Sequence, residues 1–145
     1  MCIRDRGKII DAIKSFGLES QLNLVGYVPH SEVHGIQTAS QILLLVVSDT
    51  PIAKGMVVGK LFEYLKAKRP IMAICPEDGS LAKIINETQT GEAFDYQEET
   101  RLEQFVLKSY EEYKNGNLGI DSKGIEKYSR QNLTKDLVEV FKNLG

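Results

Sequence analysis

The run Gly59-Lys60-Leu61-Phe62-Glu63-Tyr64 combines residue types that suit a phosphate and a sugar. A helix beginning here presents unpaired backbone N–H groups and the positive end of its dipole, both of which favour an anion. Gly59 has no side chain, so a ligand can approach the backbone closely, and Lys60 adds a full positive charge beside those amides. Glu63 follows Gly59 by one helical turn and lies off the stripe of Val58, Leu61, Phe62 and Leu65, so its carboxylate faces away from the core. A carboxylate accepts hydrogen bonds from both hydroxyls of a ribose diol. The same residues also describe an ordinary solvated helix start, and residue types alone leave both readings open.

Other residues offer different chemistry. His30 and His34 stand one helical turn apart with Glu32 between them, which sets two nitrogens on one face, but no third metal ligand is near. His30 reads equally as a residue on a cleft rim. Asp49 follows the apolar run 42–47, where response-regulator receivers carry a phosphoacceptor aspartate. That rival reading makes the chain a signalling domain phosphorylated at Asp49. It also requires an early acidic pair for magnesium, and the residues before Leu22 offer Asp11 and Glu19 without such a pair. Cys75 ends an apolar run with no partnered base and reads as a small apolar residue. Cys2 and Cys75 have neither metal nor disulfide spacing, which points to a reducing, cytoplasmic compartment.

Strands and helices must position these groups. Residues 8–16 read as a helix stopped by Gly17. Residues 22–28 read as a strand closed by Pro29, followed by a helix to about Thr38. Residues 41–47 form a continuous apolar strand of the kind buried on both faces of a parallel sheet. A helix over 58–67, a strand over 70–75, a helix over 81–88, a strand over 91–95 and a helix over 98–115 follow. Two last helical stretches are expected near 122–129 and 134–144, with Thr134 as an N-cap and Leu137, Val138 and Phe141 as an apolar stripe. The alternation predicts an α/β fold: a Rossmann-like parallel sheet of about four strands flanked by helices, with extra C-terminal helices. In such sheets ligands sit beyond the carboxyl ends of strands, which directs attention to the loops 26–31, 48–59 and 75–80.

The chain has 145 residues, of which 42% are hydrophobic and 26% charged, enough for one packed domain or one half of a larger enzyme. The net charge of −2 gives no electrostatic case for nucleic acid or an anionic membrane. No apolar run is long enough to span a bilayer, and no signal-peptide pattern follows the start. The opening MCIRDR fits no element type and resembles a run found at the head of translated metagenomic fragments, so residues 1–6 read as a non-native start, with the domain proper over 7–145.

The stretch VVGKLFEYLKAKRPIMAI resembles the donor-domain signature of GT-B glycosyltransferases of the group 1 type. Gly59, Lys60, Leu61, Phe62, Glu63 and Tyr64 match its Pro-Ser/Gly-Lys-apolar-aromatic-Glu-Tyr segment, and Arg69 and Pro70 match the turn before the next strand. LVGYVPHSEVHGIQTASQILLLVV, SLAKIINETQTGEAFD and YSRQNLTKDLVEVF are similar to the flanking segments, so the resemblance covers nearly all of 8–144.

The resemblance implies a nucleotide-diphosphate sugar as donor substrate, no cofactor and no obligatory metal. It implies Glu63 on the ribose, the amides of Gly59, Lys60 and Leu61 on the diphosphate, and Tyr27 and Val28 beside the base. The loop 51–56, with Gly55, would lie near the donor sugar. Val58 stands where the family usually has proline, and Gly55 where many relatives have a second glutamate. The family's first two strands of this domain and its acceptor-binding N-terminal domain have no counterpart here. The resemblance therefore implies a partial, inactive donor half, whose full enzyme has room for peripheral membrane association. With sheet order 3-2-1-4-5-6 in the family, the absent strands would leave 22–28 and 41–47 without neighbours. The expectation is either a rearranged four-strand sheet pairing these two segments or an aggregating fragment.

Overall fold

The computed structural model describes residues 6–144. The expected foreign start at 1–6 falls outside the described residues except for Arg6. The chain divides into two units, Met1–His30 and Ser31–Gly145.

In the first unit, α1 (Arg6–Ser15) ends where the sequence places its stop: Gly17 takes a left-handed φ of 69°, and its amide donates to the Lys14 carbonyl. A 3-10 turn, Glu19–Gln21, follows. Residues 22–28, expected as a strand, have no regular secondary structure and are not part of the sheet. Leu24 and Val25 are half exposed. Strand-like composition does not supply the neighbour that a strand's backbone requires, and Gly26 weakens the segment's intrinsic tendency to extend.

The second unit holds the sheet. β1 (Leu43–Val46), β2 (Ile71–Ile74) and β3 (Gly91–Phe94) run parallel in the order β1-β2-β3. α2 (His30–Ala39) precedes β1, α3 (Gly59–Ala67) links β1 to β2, and α4 (Ser80–Thr88) links β2 to β3. The architecture is α/β and Rossmann-like, with three strands rather than about four. Leu45, Leu61, Leu65, Ile71, Ala73, Ile85 and Ala93 pack into one core. The apolar residues of α3 and α4 recur at helical spacing and close over the sheet face that carries Leu45 and Ala73.

β1 departs from the expectation of a strand buried on both faces. Leu43 and Leu45 are buried, whereas Leu44 and Val46 are 51% and 57% exposed. β1 is an edge strand, and the Tyr64 hydroxyl donates to its outward Leu44 carbonyl at 3.3 Å. A continuous apolar run says that both faces could be buried, not that two layers are present to bury them.

Several turns are held by specific chemistry. Lys68 and Gln89 close α3 and α4 in the left-handed region, with φ of 53° and 51°. Arg69 Nε donates to the Thr38 carbonyl at 2.6 Å, satisfying the end of α2. Thr88 and Thr90 are buried and share a hydrogen bond of 2.8 Å, with Thr88 Oγ1 also donating to the Ile84 carbonyl. A left-handed conformation is costly for a residue with a Cβ, so Gln89→Gly is expected to stabilise the protein by roughly 1 kcal/mol. The urea midpoint measures it, with an unchanged slope.

After α5 (Glu99–Lys114), the chain returns as a strap across α3 and α4. The Lys123 amide donates to the Thr88 carbonyl at 2.9 Å. Residues expected as a helix near 122–129 form only a 3-10 turn, Ile125–Tyr128. Tyr128 packs beside Phe62, and its hydroxyl donates to Glu87 at 2.9 Å, while Lys127 pairs with the same carboxylate. These partners, the lysine first, hold Glu87 below the ordinary glutamate value. A depressed carboxylate stabilises fully above its unfolded pKa and loses that contribution as pH falls through the folded one. The strap is therefore expected to loosen on acidification below about pH 4.5; tyrosine fluorescence followed against pH in wild type and Glu87→Gln checks it, the variant showing the smaller change.

α6 (Arg130–Lys142) starts earlier than expected. Ser129, not Thr134, is its N-cap: Ser129 Oγ accepts from the Asn132 amide at 3.2 Å, and the Asn132 side chain donates to the Glu126 carbonyl at 2.8 Å. That two-way clasp fixes the start and leaves Thr134 inside the helix. The expected stripe of Leu137, Val138 and Phe141 is present but exposed.

Candidate functional site

α3 leaves the carboxyl end of β1 through the loop 47–58, so its first turn stands on the side of the sheet where parallel folds bind ligands. Val58 occupies the N-cap without a side-chain hydrogen bond. The Leu61 amide donates to the Val58 carbonyl at 3.0 Å, and the Leu61 side chain is wholly buried. Leu61 thus anchors the helix, while the amides of Gly59 and Lys60 remain open at its start. A Cβ on Gly59 would meet nothing within 4 Å, so the space over that backbone is free. Lys60 is exposed and, among the described residues, has no carboxylate within 4 Å.

Glu63 is exposed one turn on, on the Gly59 face, and accepts a hydrogen bond of 3.2 Å from Gln37 Nε2 of α2. It is in no ion pair among the described residues, so its carboxylate keeps lone pairs for a further donor. Gly55 ends the 3-10 turn Ala53–Gly55, and its surroundings are also open. Gly55, Gly59, Lys60, Leu61 and Glu63 therefore belong to one stretch of loop and helix start. Tyr27 and Val28 lie in the first unit, in irregular chain, with the Tyr27 side chain 95% exposed.

The carboxyl ends of the strands also enclose an open cleft of about 570 Å³, lined among others by Asp49, Lys54, Glu77, Asp78, Asp95 and Tyr96. Lys54 pairs with Asp78 at 2.6 Å, joining the loop after β1 to the loop after β2. The pairing raises the lysine and lowers the aspartate, chiefly through the shared hydrogen bond. Gly79 makes that junction possible: a Cβ there would lie 2.9 Å from the Pro76 carbonyl oxygen and 3.2 Å from that of Lys54. Arg101 of α5 bridges Glu77 and Glu98. The Tyr96 hydroxyl is buried and has no hydrogen-bond partner among the described residues. Burial, then the charge of Asp49, pushes that phenol upward, so it stays protonated.

Cys75 is buried beside this cleft, and burial pushes its thiol up to about 11, which keeps it protonated at neutral pH. His30 and His34 lie on α2, and among the described residues no three metal-ligating side chains gather into a group. No described helix is long and apolar enough to cross a membrane. Tyr96 and Asp95 escape a motif search because they are alone in sequence. The loop after β3 is nonetheless a carboxyl-end loop like the other two, and that rule alone identifies it. No protein-family model matches the chain, and no curated protein is significantly similar to it.

Proposed function

We propose that the chain is the nucleotide-sugar-binding part of a GT-B glycosyltransferase of the group 1 type, which transfers a sugar from a nucleoside diphosphate to an acceptor. The observation that carries this reading is the start of α3 at the carboxyl end of β1. Two open amides, a lysine without an ion-pair partner among the described residues and an exposed carboxylate one turn on are the parts a diphosphate and a ribose need. The resemblance of residues 59–64 and of Arg69-Pro70 to the donor signature points the same way.

In this reading the amides of Gly59 and Lys60 and the Lys60 ammonium hold the diphosphate, with Leu61 fixing the turn from the core. Glu63 accepts from the ribose hydroxyls, and Gly55 leaves room in the loop nearest the sugar. As the glycosidic bond breaks, negative charge grows on the departing diphosphate. Fixed amides at a helix start stabilise that charge without reorganising. The donor is a substrate, and the reading requires neither cofactor nor metal.

Titration of the chain with UDP, GDP and ADP, followed by amide NMR shifts, tests the assignment. Saturable shifts clustered at residues 55–64 are expected with at least one nucleotide. Nucleotides that perturb nothing in that stretch would remove the reading.

A further inference from the structure

We propose that the cavity at the amino ends of β2 and β3 binds a small aliphatic amine in its ammonium form, which donates to the Ser109 hydroxyl and is neutralised by the carboxylates of Glu92, Glu112 and Asp121. The inference goes beyond the nucleotide reading, because it concerns the opposite end of the sheet and a ligand of opposite charge.

The open cavity has a volume of about 440 Å³ and is walled by α4, β3, α5 and the irregular segment 118–121. Pro70 and Gly91 place it where β2 and β3 begin, the end of the sheet away from the α3 turn. Phe105, Leu118 and Ile120 give it an apolar side, and the Phe105 ring is held edge-on against the buried Phe94. Such a side suits methylene groups. Glu92, Glu112 and Asp121 line the cavity together with one lysine, Lys108. Lys108 stands 3.9 Å from Glu112, an ion pair too long to be a hydrogen bond. Among the described residues neither Glu92 nor Asp121 has a cation within 4 Å. One cation among three carboxylates leaves a field that repels an anion and attracts a cation.

The second, independent observation is Ser109, inside α5. It is 4% exposed and lines the cavity, and its hydroxyl has no hydrogen-bond partner among the described residues. Thr38 and Thr88 each return a bond to the carbonyl four residues back, the ordinary recourse of a hydroxyl in a helix. Ser109 does not. Nor is its hydroxyl sealed in protein, since among the described residues the sealed and unpartnered side-chain atom is that of Tyr96. The Ser109 hydroxyl therefore opens on the cavity, where a ligand can partner it. An ammonium carries three N–H donors, enough to serve this hydroxyl and the carboxylates together. An alcohol would satisfy the serine and leave the carboxylates uncompensated, and an anion would be repelled by them. The apolar side takes the alkyl chain.

Amide NMR shifts of the full chain, followed with butylamine and putrescine at neutral pH, test the site. Butanol and butyrate serve as neutral and anionic matches of the same chain length. Saturable shifts at residues 89–92, 108–112 and 118–121 are expected with the amines and not with the two controls. Ser109→Ala is expected to weaken amine binding about tenfold without lowering the melting temperature, because it removes a hydroxyl that has no partner in the unliganded protein and alanine favours the helix. Glu112→Gln should weaken binding as well. Glu111→Gln, one residue earlier on α5 and outside the cavity lining, should leave it unchanged. The proposal is overturned if butanol shifts these residues as the amines do, if amine shifts spread over the acidic surface without saturating at the cavity, or if Ser109→Ala binds the amines as wild type does.

Discussion

Replacing Gly91 with alanine is expected to destabilise the sheet-bearing unit by at least ~3 kcal/mol, the largest effect of any single methyl addition in the chain. Gly91 opens β3 directly opposite Ile71 of β2, and a Cβ built on it would lie 1.9 Å from the Ile71 carbonyl oxygen and 2.6 Å from the Ile71 nitrogen. Both neighbours are backbone atoms of the central strand, so no side chain can swing aside. The Ile71 amide donates to the Thr90 carbonyl at 2.9 Å, one residue before the intruding methyl. Relief therefore requires β3 to shift away from β2, which breaks the ladder and uncovers Phe94 and Ala93. Urea denaturation followed by circular dichroism measures the loss. Gly59→Ala is the control: its methyl enters open space, and the change should stay within about 1 kcal/mol. Equal losses in the two variants would show that the close approach at Gly91 is not what requires glycine there.

The second large effect concerns binding. Glu63→Ala is expected to weaken nucleotide affinity by roughly 10- to 100-fold, the range for hydrogen bonds to a charged group. Stability should scarcely change, because the Gln37–Glu63 hydrogen bond is exposed on both sides. Glu63→Gln keeps one carbonyl acceptor and should fall between wild type and alanine. The role assigned to the carboxylate adds a sharper requirement. A 2′,3′-dideoxynucleotide, which lacks the diol, should bind wild type and Glu63→Ala with nearly equal affinity. If the dideoxynucleotide still loses tenfold in the variant, Glu63 acts on something other than the ribose. Gln37→Ala separates positioning from contact, since it frees the carboxylate without removing it.

The sequence conveyed the second unit well and the first unit in part. Periodicity located α3 and α4, because each buries a stripe against the sheet and the stripe is written at helical spacing. It located β1, β2 and β3 as short apolar runs between turn signals. It failed for 22–28 because a strand is a relation between segments, and one segment's composition carries only half of that relation. Thr134 has the residue type of a cap, but Asn132 clasps Ser129 and Glu126 and fixes the helix start there. At the site, Gly59, Lys60 and Glu63 were legible because one helix turn relates them. Asp95 and Tyr96 were not, because they meet Asp49 only through the loops after β1 and β3, which lie far apart in the chain.

The order of the strands in the sheet is also their order along the chain. Leu43 pairs with Ile71 and Ile71 with Gly91, so every ladder closes over a single intervening helix. Among the described residues no strand waits for a partner synthesised much later, and none must be inserted between two already joined. A chain emerging from the ribosome can lay down β1, fold α3 over it, and then add β2 and β3 outward in turn. Growth outward from β1 through β2 to β3 makes the joining of these three strands a matter of elongation rather than of search.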